Sequence, residues 1–288
     1  MRIKNIYAYC NLLIYSGIRQ GGVNAVRKLF VFNEYKRPIL PFRINLLYFK
    51  RRKGPNNVGD HLSKIVFDFM LKKQHISKWQ LHTIRYAFIG SVIQFVGAES
   101  HVFGSGFLNK KGIEIFKKKK PKLTIHAVRG PLTANALREI GYRVPEIYGD
   151  PAILLPLIYK PKVVKLYAFT IIPHMSKLVL YKKQYREKVL SPLTEDWKAF
   201  IDRICTSDLV ISASLHGIII AETYGVPAVF LNDAESEDLF KYEDYYASTG
   251  RWHIPMVNTV EEAVIVGSGV QAPNLDIIRK ELFNTRLL

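Results

Sequence analysis

Ile44-Asn45-Leu46-Leu47-Tyr48-Phe49 runs into Lys50-Arg51-Arg52-Lys53-Gly54-Pro55-Asn56-Asn57 and then into Val58-Gly59-Asp60. The first six residues form a short apolar run and read as a buried strand. The Gly-Pro-Asn-Asn cluster breaks it as a turn. Beyond Asp60, the residues Leu62, Ile65, Val66, Phe69 and Met70 recur at helical spacing, so the stretch reads as strand, loop and helix N-terminus in order.

The same grammar repeats outward. Strands are expected over Tyr86–Ile89, Ser100–Phe103 and Leu123–Val128, ending at Gly90-Ser91, Gly104-Ser105-Gly106 and Arg129-Gly130-Pro131. A helix over Leu132–Ile140 has Pro131 in its first turn and Gly141 just past its end. Past Tyr159-Lys160-Pro161-Lys162, which reads as a linker, strands over Leu166–Ile172, Leu209–Ile211 and Val226–Leu231 alternate with helices over Trp197–Cys205 and Ile218–Tyr224. Alternation of this kind indicates mostly parallel sheets with helices on their faces. The fold class is therefore α/β, two Rossmann-like domains facing a cleft. Residues 1–43 are expected as an N-terminal helical segment, 44–160 as one α/β domain, and 161–288 as a second that closes with a C-terminal helix.

With 288 residues, 48% hydrophobic and 23% charged, a packed core is affordable and global disorder is excluded. Cys10 and Cys205 lie far apart, which excludes a disulfide scaffold and a cysteine-rich metal site. The formal net charge of +18 attracts anions: phosphorylated substrates, an anionic membrane surface or nucleic acid. No RNA-recognition aromatic motif or zinc finger accompanies the lysine runs, so nucleic acid is not the expected partner. The densest run, Lys117 to Lys120, reads equally as a solvated loop. Asn5 to Ile18 follows Arg2 and Lys4 but lacks a small-x-small cleavage site. It reads as a helix packed on the fold or lying against a membrane. A cytoplasmic location, peripheral at the inner membrane face, is the expectation.

In parallel α/β sheets, ligands sit beyond the carboxyl ends of the strands, where helix N-termini present N–H groups. Four clusters fall there: Asn57-Val58-Gly59-Asp60, Gly104-Ser105-Gly106, Val128-Arg129-Gly130-Pro131 and Ser212-Ala213-Ser214-Leu215-His216-Gly217. Each residue has a bland alternative. Asp60 fits a helix N-cap as well as a base. Arg129, aimed at a strand end, favours an anion contact over a bare surface position. His216 fits a satisfied core histidine as well as an acid or base. Asp150 fits a turn former, and Glu222 either holds a ligand hydroxyl or pairs with a basic neighbour.

Order and spacing together carry a resemblance to the polysaccharide pyruvyl transferase family. Asn57-Val58-Gly59-Asp60 resembles its opening motif, and Gly104-Ser105-Gly106-Phe107 its central glycine turn. Ala127-Val128-Arg129-Gly130-Pro131-Leu132-Thr133 and Tyr148-Gly149-Asp150-Pro151-Ala152 are similar to its middle block. Ser214-Leu215-His216-Gly217, followed by Ala221-Glu222-Thr223-Tyr224-Gly225-Val226-Pro227, resembles its C-terminal block. The resemblance implies a two-domain, GT-B-like arrangement with the site in the cleft. It implies phosphoenolpyruvate as donor and a lipid-linked oligosaccharide of a capsule or exopolysaccharide as acceptor; no cofactor is expected, and no metal, since the chemistry does not itself require one and no compact His/Asp cluster suggests one. One position departs: the family often carries Arg two residues before the His, and here that residue is Ser214.

Binding phosphoenolpyruvate calls for fixed positive charge and N–H donors. Arg129 is the first choice for the charge, and Gly104-Ser105-Gly106 for backbone donors. Ketal formation needs a proton donor and a base. His216 suits one role and Asp60 is its paired carboxylate, which of them is acid being open. Asn57, Gly59, Asp150, Ser214, Leu215, Gly217 and Glu222 are expected to line the substrates. The rival readings are a GT-B glycosyltransferase using a nucleotide sugar, with Glu222 on ribose, and a non-catalytic module for anionic glycan or nucleic acid.

Overall fold

A computed structural model describes residues 30–32, 45–51, 53–77, 85–97, 99–233 and 238–288. The chain enters through β1 (Phe30–Phe32), β2 (Asn45–Leu47) and β3 (Phe49–Arg51). β1 and β3 form a small antiparallel pair. β2 instead joins a parallel sheet with β4 (Arg85–Ala87), β5 (Ser100–Phe103) and β6 (Leu123–Ala127), ordered β2-β4-β5-β6. The expected single strand over Ile44–Phe49 is thus divided at Tyr48 between two sheets. Of the expected helical segment 1–43, Phe30–Phe32 is strand; the rest, with Cys10 and the Asn5–Ile18 stretch, lies outside the described residues.

α1 (Val58–Lys73) begins two residues before Asp60, because Asn57 is its cap: the Asn57 side chain accepts from the Gly59 N–H. Lys72 and Lys73 in the last turn complement the helix dipole. The lysine run read as a loop is α2 (Lys110–Lys119). It is capped by Asn109 and pinned through buried Phe116, while its lysines face water. α3 (Pro131–Glu139) follows β6 with Pro131 in its first turn. Beyond β6, a parallel bridge between Val128 and Tyr148 adds a further rung to the sheet.

The second parallel sheet holds β7 (Tyr167–Ile172), β8 (Ser207–Ser212), β9 (Ala228–Leu231) and β10 (Met256–Val257), neighbours in chain order. Between β7 and β8 come α4 (Leu178–Tyr185) and α5 (Trp197–Cys205). α5 is capped by Asp196 and buries Phe200, Ile201 and Ile204. α6 (Leu215–Thr223) follows β8, so His216 and Gly217 belong to a helix and not to the loop expected before Ile218. α7 (Phe240–Ser248), α8 (Val260–Gly267) and α9 (Asp276–Asn284) complete the chain.

β7 pairs with β8 along one edge and, through the parallel bridge Ile171–Val189, with an extended segment along the other. The chain therefore steps outward from β7 and then crosses back to β8. Reversals of this kind are where open α/β sheets take their ligands, beyond the carboxyl ends of the strands, and the ends concerned here are Pro173-His174 and Ser212–His216.

One apolar cluster spans both sheets, and two smaller ones cover their other faces. Leu62, Val66 and Met70 of α1 and Phe88 and Phe103 of the first sheet cluster with Phe200 and Ile204 of α5 and Ile218–Ile220 of α6. A 3-10 helix over Pro151–Leu157 is buried between α1 and α6 and contributes Ile153, Leu154 and Leu155. The segment read as a linker is tied on both sides: Tyr159 Oη donates to Asp202 at 2.7 Å, and its carbonyl accepts from Tyr224 Oη at 2.8 Å. After α9 the chain returns to the first half, where the Leu287 carbonyl accepts from Tyr86 Oη at 2.5 Å and Gln74 bonds both Thr285 and Leu287.

Candidate active site

The N-termini of α1 and α6 meet. The Val58 N–H, which no helical carbonyl can satisfy, donates to the Pro192 carbonyl at 2.9 Å. Asn57 bridges to Leu193, and Asn56 Nδ2 donates to Glu195 at 2.7 Å. This stitching brings Gly59 onto the ring of His216: a Cβ at residue 59 would lie 2.0 Å from Nδ1. Any other residue would push the ring or the helix away, so glycine is required by space.

His216 Nε2 lies 3.7 Å from Oδ2 of Asp150. The other oxygen of Asp150 accepts from the Ala152 N–H at 2.9 Å and so caps the 3-10 helix. The facing atoms, His216 Nε2 and Asp150 Oδ2, are buried and have no hydrogen-bond partner among the described residues. Unpaired buried polar atoms are costly and rare in folded proteins, and a pair of them facing each other calls for a role.

Asp60, in the first turn of α1, completes the cluster. Its Oδ1 would lie 3.7 Å from a Cβ at Gly90, so it sits against the loop that leaves β4. Burial pushes its carboxyl up to about 7, against the opposing pull of His216 and Lys241. Lys241, at the start of α7, was not singled out from the sequence. Its neighbours Phe240 and Tyr242 are core residues, and nothing local announces proximity to Asp60, some 180 positions upstream.

The structure brings together Asn57, Gly59, Asp60, Asp150, His216 and its flanking residues Ser214, Leu215 and Gly217. Ser214 occupies the cap position of α6 without a side-chain bond to it, and its N–H donates to Ser212 Oγ at 3.0 Å.

Arg129 is placed differently. The guanidinium that the sequence aimed at an anion is fully buried, and each of its nitrogens already donates: Nε to Asp244 at 3.0 Å, Nη1 to Ser91 at 2.6 Å and Nη2 to the Phe107 carbonyl at 2.7 Å. Asp244 also accepts from the N–H and hydroxyl of Thr133. The pairing is long-range: Asp244 comes from α7, and no motif near Arg129 reveals it. Gly104-Ser105-Gly106 braces this framework: Ser105 Oγ donates to the Gly90 carbonyl at 2.7 Å, and a Cβ at Gly106 would strike the Arg129 guanidinium. Of the alternatives for Glu222, the structure has the pairing. Arg251 donates to both its oxygens at 2.7 and 2.6 Å, and Tyr245 donates at 2.7 Å.

Among the described residues no group of His, Cys, Asp and Glu is arranged to hold a metal ion, and no helix is long and apolar enough to cross a membrane.

The family model for polysaccharide pyruvyl transferase matches residues 31–235. The chain belongs to the polysaccharide pyruvyl transferase family. As a pyruvyl transferase it is an enzyme of polysaccharide biosynthesis, with a polysaccharide or oligosaccharide as acceptor. An uncharacterized protein of Acanthamoeba polyphaga mimivirus is 28% identical over 221 residues, covering 67% of this chain and 71% of that protein. The succinoglycan biosynthesis protein ExoV of Rhizobium meliloti is 30% identical over 156 residues, covering 50% of this chain and 47% of its own. Among solved structures, a functionally uncharacterized protein of Klebsiella pneumoniae shares the fold, with a TM-score of 0.53 at 14% identity over 76% of this chain and 94% of that one. The family match spans Asp60, Asp150 and His216, so the cluster assembled by geometry lies within the pyruvyl transferase domain.

Proposed function

We propose that this pyruvyl transferase takes pyruvate from phosphoenolpyruvate and bridges it, as a cyclic ketal, across two hydroxyls of one sugar in a lipid-linked repeat unit of a capsule or exopolysaccharide. The observation that carries the reading is the facing pair of unpartnered polar atoms, His216 Nε2 and Asp150 Oδ2, beside an Asp60 carboxyl that titrates near neutrality. A proton gained by the donor methylene leaves a cationic carbon bearing the carboxylate and the phosphate oxygen. One sugar hydroxyl adds and loses its proton, phosphate departs carrying a proton, and the second hydroxyl adds and loses its own. The methylene and the phosphate each gain a proton and two hydroxyls each lose one, so the enzyme needs groups that pass protons in both directions near pH 7.

His216, facing Asp150 at 3.7 Å, is the proton donor. Asp60 is the base for the sugar hydroxyls. Positive charge for the donor comes from Lys241 and from the converging N-termini of α1 and α6, in place of Arg129 and of the arginine absent at Ser214. The two sheets act as the two lobes of a GT-B-like enzyme, with the donor in the crevice between them, and the enzyme works peripherally at the inner face of the cell membrane. Glu222, already accepting from Arg251 and Tyr245, favours pyruvyl transfer over the nucleotide-sugar rival, which calls for that carboxylate on ribose.

The test is incubation with phosphoenolpyruvate and a panel of lipid-linked sugars, following phosphate release and product mass. A ketal product that His216→Ala abolishes supports the reading. Failure to bind phosphoenolpyruvate, together with binding of a nucleotide sugar, overturns it.

A further inference from the structure

The reversal at β7 sends the chain outward through Pro173, His174 and a 3-10 turn over Met175–Lys177 into α4. The strand from which it departs is hydrogen-bonded to the segment that leads to His216, the Ala213 N–H donating to the Ile172 carbonyl at 2.9 Å, while α4 itself packs on the face of the second sheet opposite α6. Among the described helices α4 is unusual in its surface. It buries none of its own residues. Tyr181 and Tyr185, one turn apart, rest partly buried on the core of the second sheet. The opposite side presents Val179 and Leu180, 83% and 57% exposed, with Lys182 and Lys183 following at the spacing that puts them beside Val179. Lys177, Arg186 and Lys188 extend the basic surface, and between Lys177 and Lys188 the only acid is Glu187.

Single exposed apolar residues need no explanation. Two neighbouring ones leading a row of cations, on a helix held by two tyrosines, form an arrangement with a purpose. We infer that α4 docks the enzyme on an anionic lipid bilayer, with Val179 and Leu180 in the headgroup–acyl boundary and Lys182 and Lys183 on lipid phosphates. Charge complementarity selects this occupant: cations attract anionic headgroups, and the apolar pair gains by leaving water, which a nucleic acid would not offer. The overall charge of +18 acts in the same direction at longer range. Docking through α4 holds the enzyme at the bilayer surface, where a lipid-anchored acceptor lies; the inference deepens the proposed function and rests on it for its purpose.

Binding is measured apart from turnover. The full chain is floated with vesicles of phosphatidylglycerol and phosphatidylcholine in equal parts, and with phosphatidylcholine alone. The chain should bind the anionic vesicles and leave the neutral ones. Lys182→Gln with Lys183→Gln should weaken binding about 30-fold, the equivalent of ~1 kcal/mol per cation. Val179→Ser with Leu180→Ser should weaken it about tenfold. Ile265→Ser removes a residue 75% exposed on α8 beyond the acidic Glu261 and Glu262, and should change nothing. Unaltered melting of each variant shows that folding is intact. No binding by the unmodified chain, or undiminished binding by both α4 variants, overturns the inference. Phosphate release with a short soluble acceptor should be the same in the α4 variants as in the parent. Absence of release in all of them, with vesicle binding lost as expected, would sink the ketal reading and leave the docking surface standing.

Discussion

Gly59 lies against the imidazole of His216 so closely that a Cβ there would fall 2.0 Å from Nδ1 and 2.2 Å from Cγ. The start of one helix is thereby the wall that fixes the ring at the start of another. Gly59→Ala should displace the ring from Asp150 and lower kcat about 100-fold, the usual result of a misplacement near 1 Å. Adding His216→Ala to Gly59→Ala should restore thermal stability without restoring turnover. An unchanged kcat in Gly59→Ala would remove His216 from the reaction.

Arg129 and Asp244 form an ion pair with no exposed surface. Removing one partner strands the other charge in the interior, so Arg129→Ala should cost about 3–5 kcal/mol of stability in urea unfolding. In a double-mutant cycle with Asp244→Asn the losses should be strongly non-additive. An Arg129→Ala protein of parental stability with a raised KM for the donor would return Arg129 to the ligand.

Asp60 titrates at about 7 in the fold, against 3.8 for an exposed aspartate. Between those values the native state holds a proton that the unfolded chain has lost, so stability is greatest below the lower value and falls as pH rises through the upper one. Asp60→Asn should therefore be more stable than the parent at about pH 8 and lose that advantage by about pH 4. With Asp60 as base, kcat/KM of the parent should decline as pH falls below about 7. A profile flat across neutrality would assign the base elsewhere.

Glu222 takes two hydrogen bonds from Arg251 and one from Tyr245. Arg251→Ala should lower the urea midpoint sharply, by about 3 kcal/mol or more, because it leaves the buried carboxylate unpaired. Isothermal titration should find donor affinity in Glu222→Gln within about threefold of the parent, the size of effect expected for a residue remote from the ligand. A collapse of donor affinity with unchanged stability would place Glu222 in the binding site.

The elements best read from sequence are those whose signals are local. Trp197–Cys205 has an aspartate cap and an apolar face, and Ser100–Phe103 is a buried strand closed by glycine; both coincide with the structure. Gly217 misled for a physical reason. Glycine normally signals a loop, but here it sits in the first turn of α6 because a Cβ would lie 2.3 Å from Ser212 Oγ. The lysine run misled because solvated charge is common to loops and to the outer faces of helices, and the apolar pair Ile113 and Phe116, three residues apart, distinguishes them. Tyr48 divides one apolar run between two sheets, a choice made by partners and not by propensity. In the candidate site, Asp60, Asp150 and His216 carried glycine-flanked strand-end signals. Lys241 and Asp244 carried none, since what makes them matter is proximity to residues more than a hundred positions away.

The return of the chain to the first sheet has a consequence in time. Tyr86 Oη, inside the first half, is satisfied by the carbonyl of Leu287, 201 residues later. A ribosome delivers the first sheet, its helices and most of the core well before that carbonyl exists. Until residue 287 emerges, the nascent first half carries a buried hydroxyl without its acceptor and an apolar face without Leu282 and Leu287 to cover it. Such a sheet, complete but partly uncovered, is a species for chaperones to hold, and the closing contact, spanning 201 of the 288 residues, is a late step of folding.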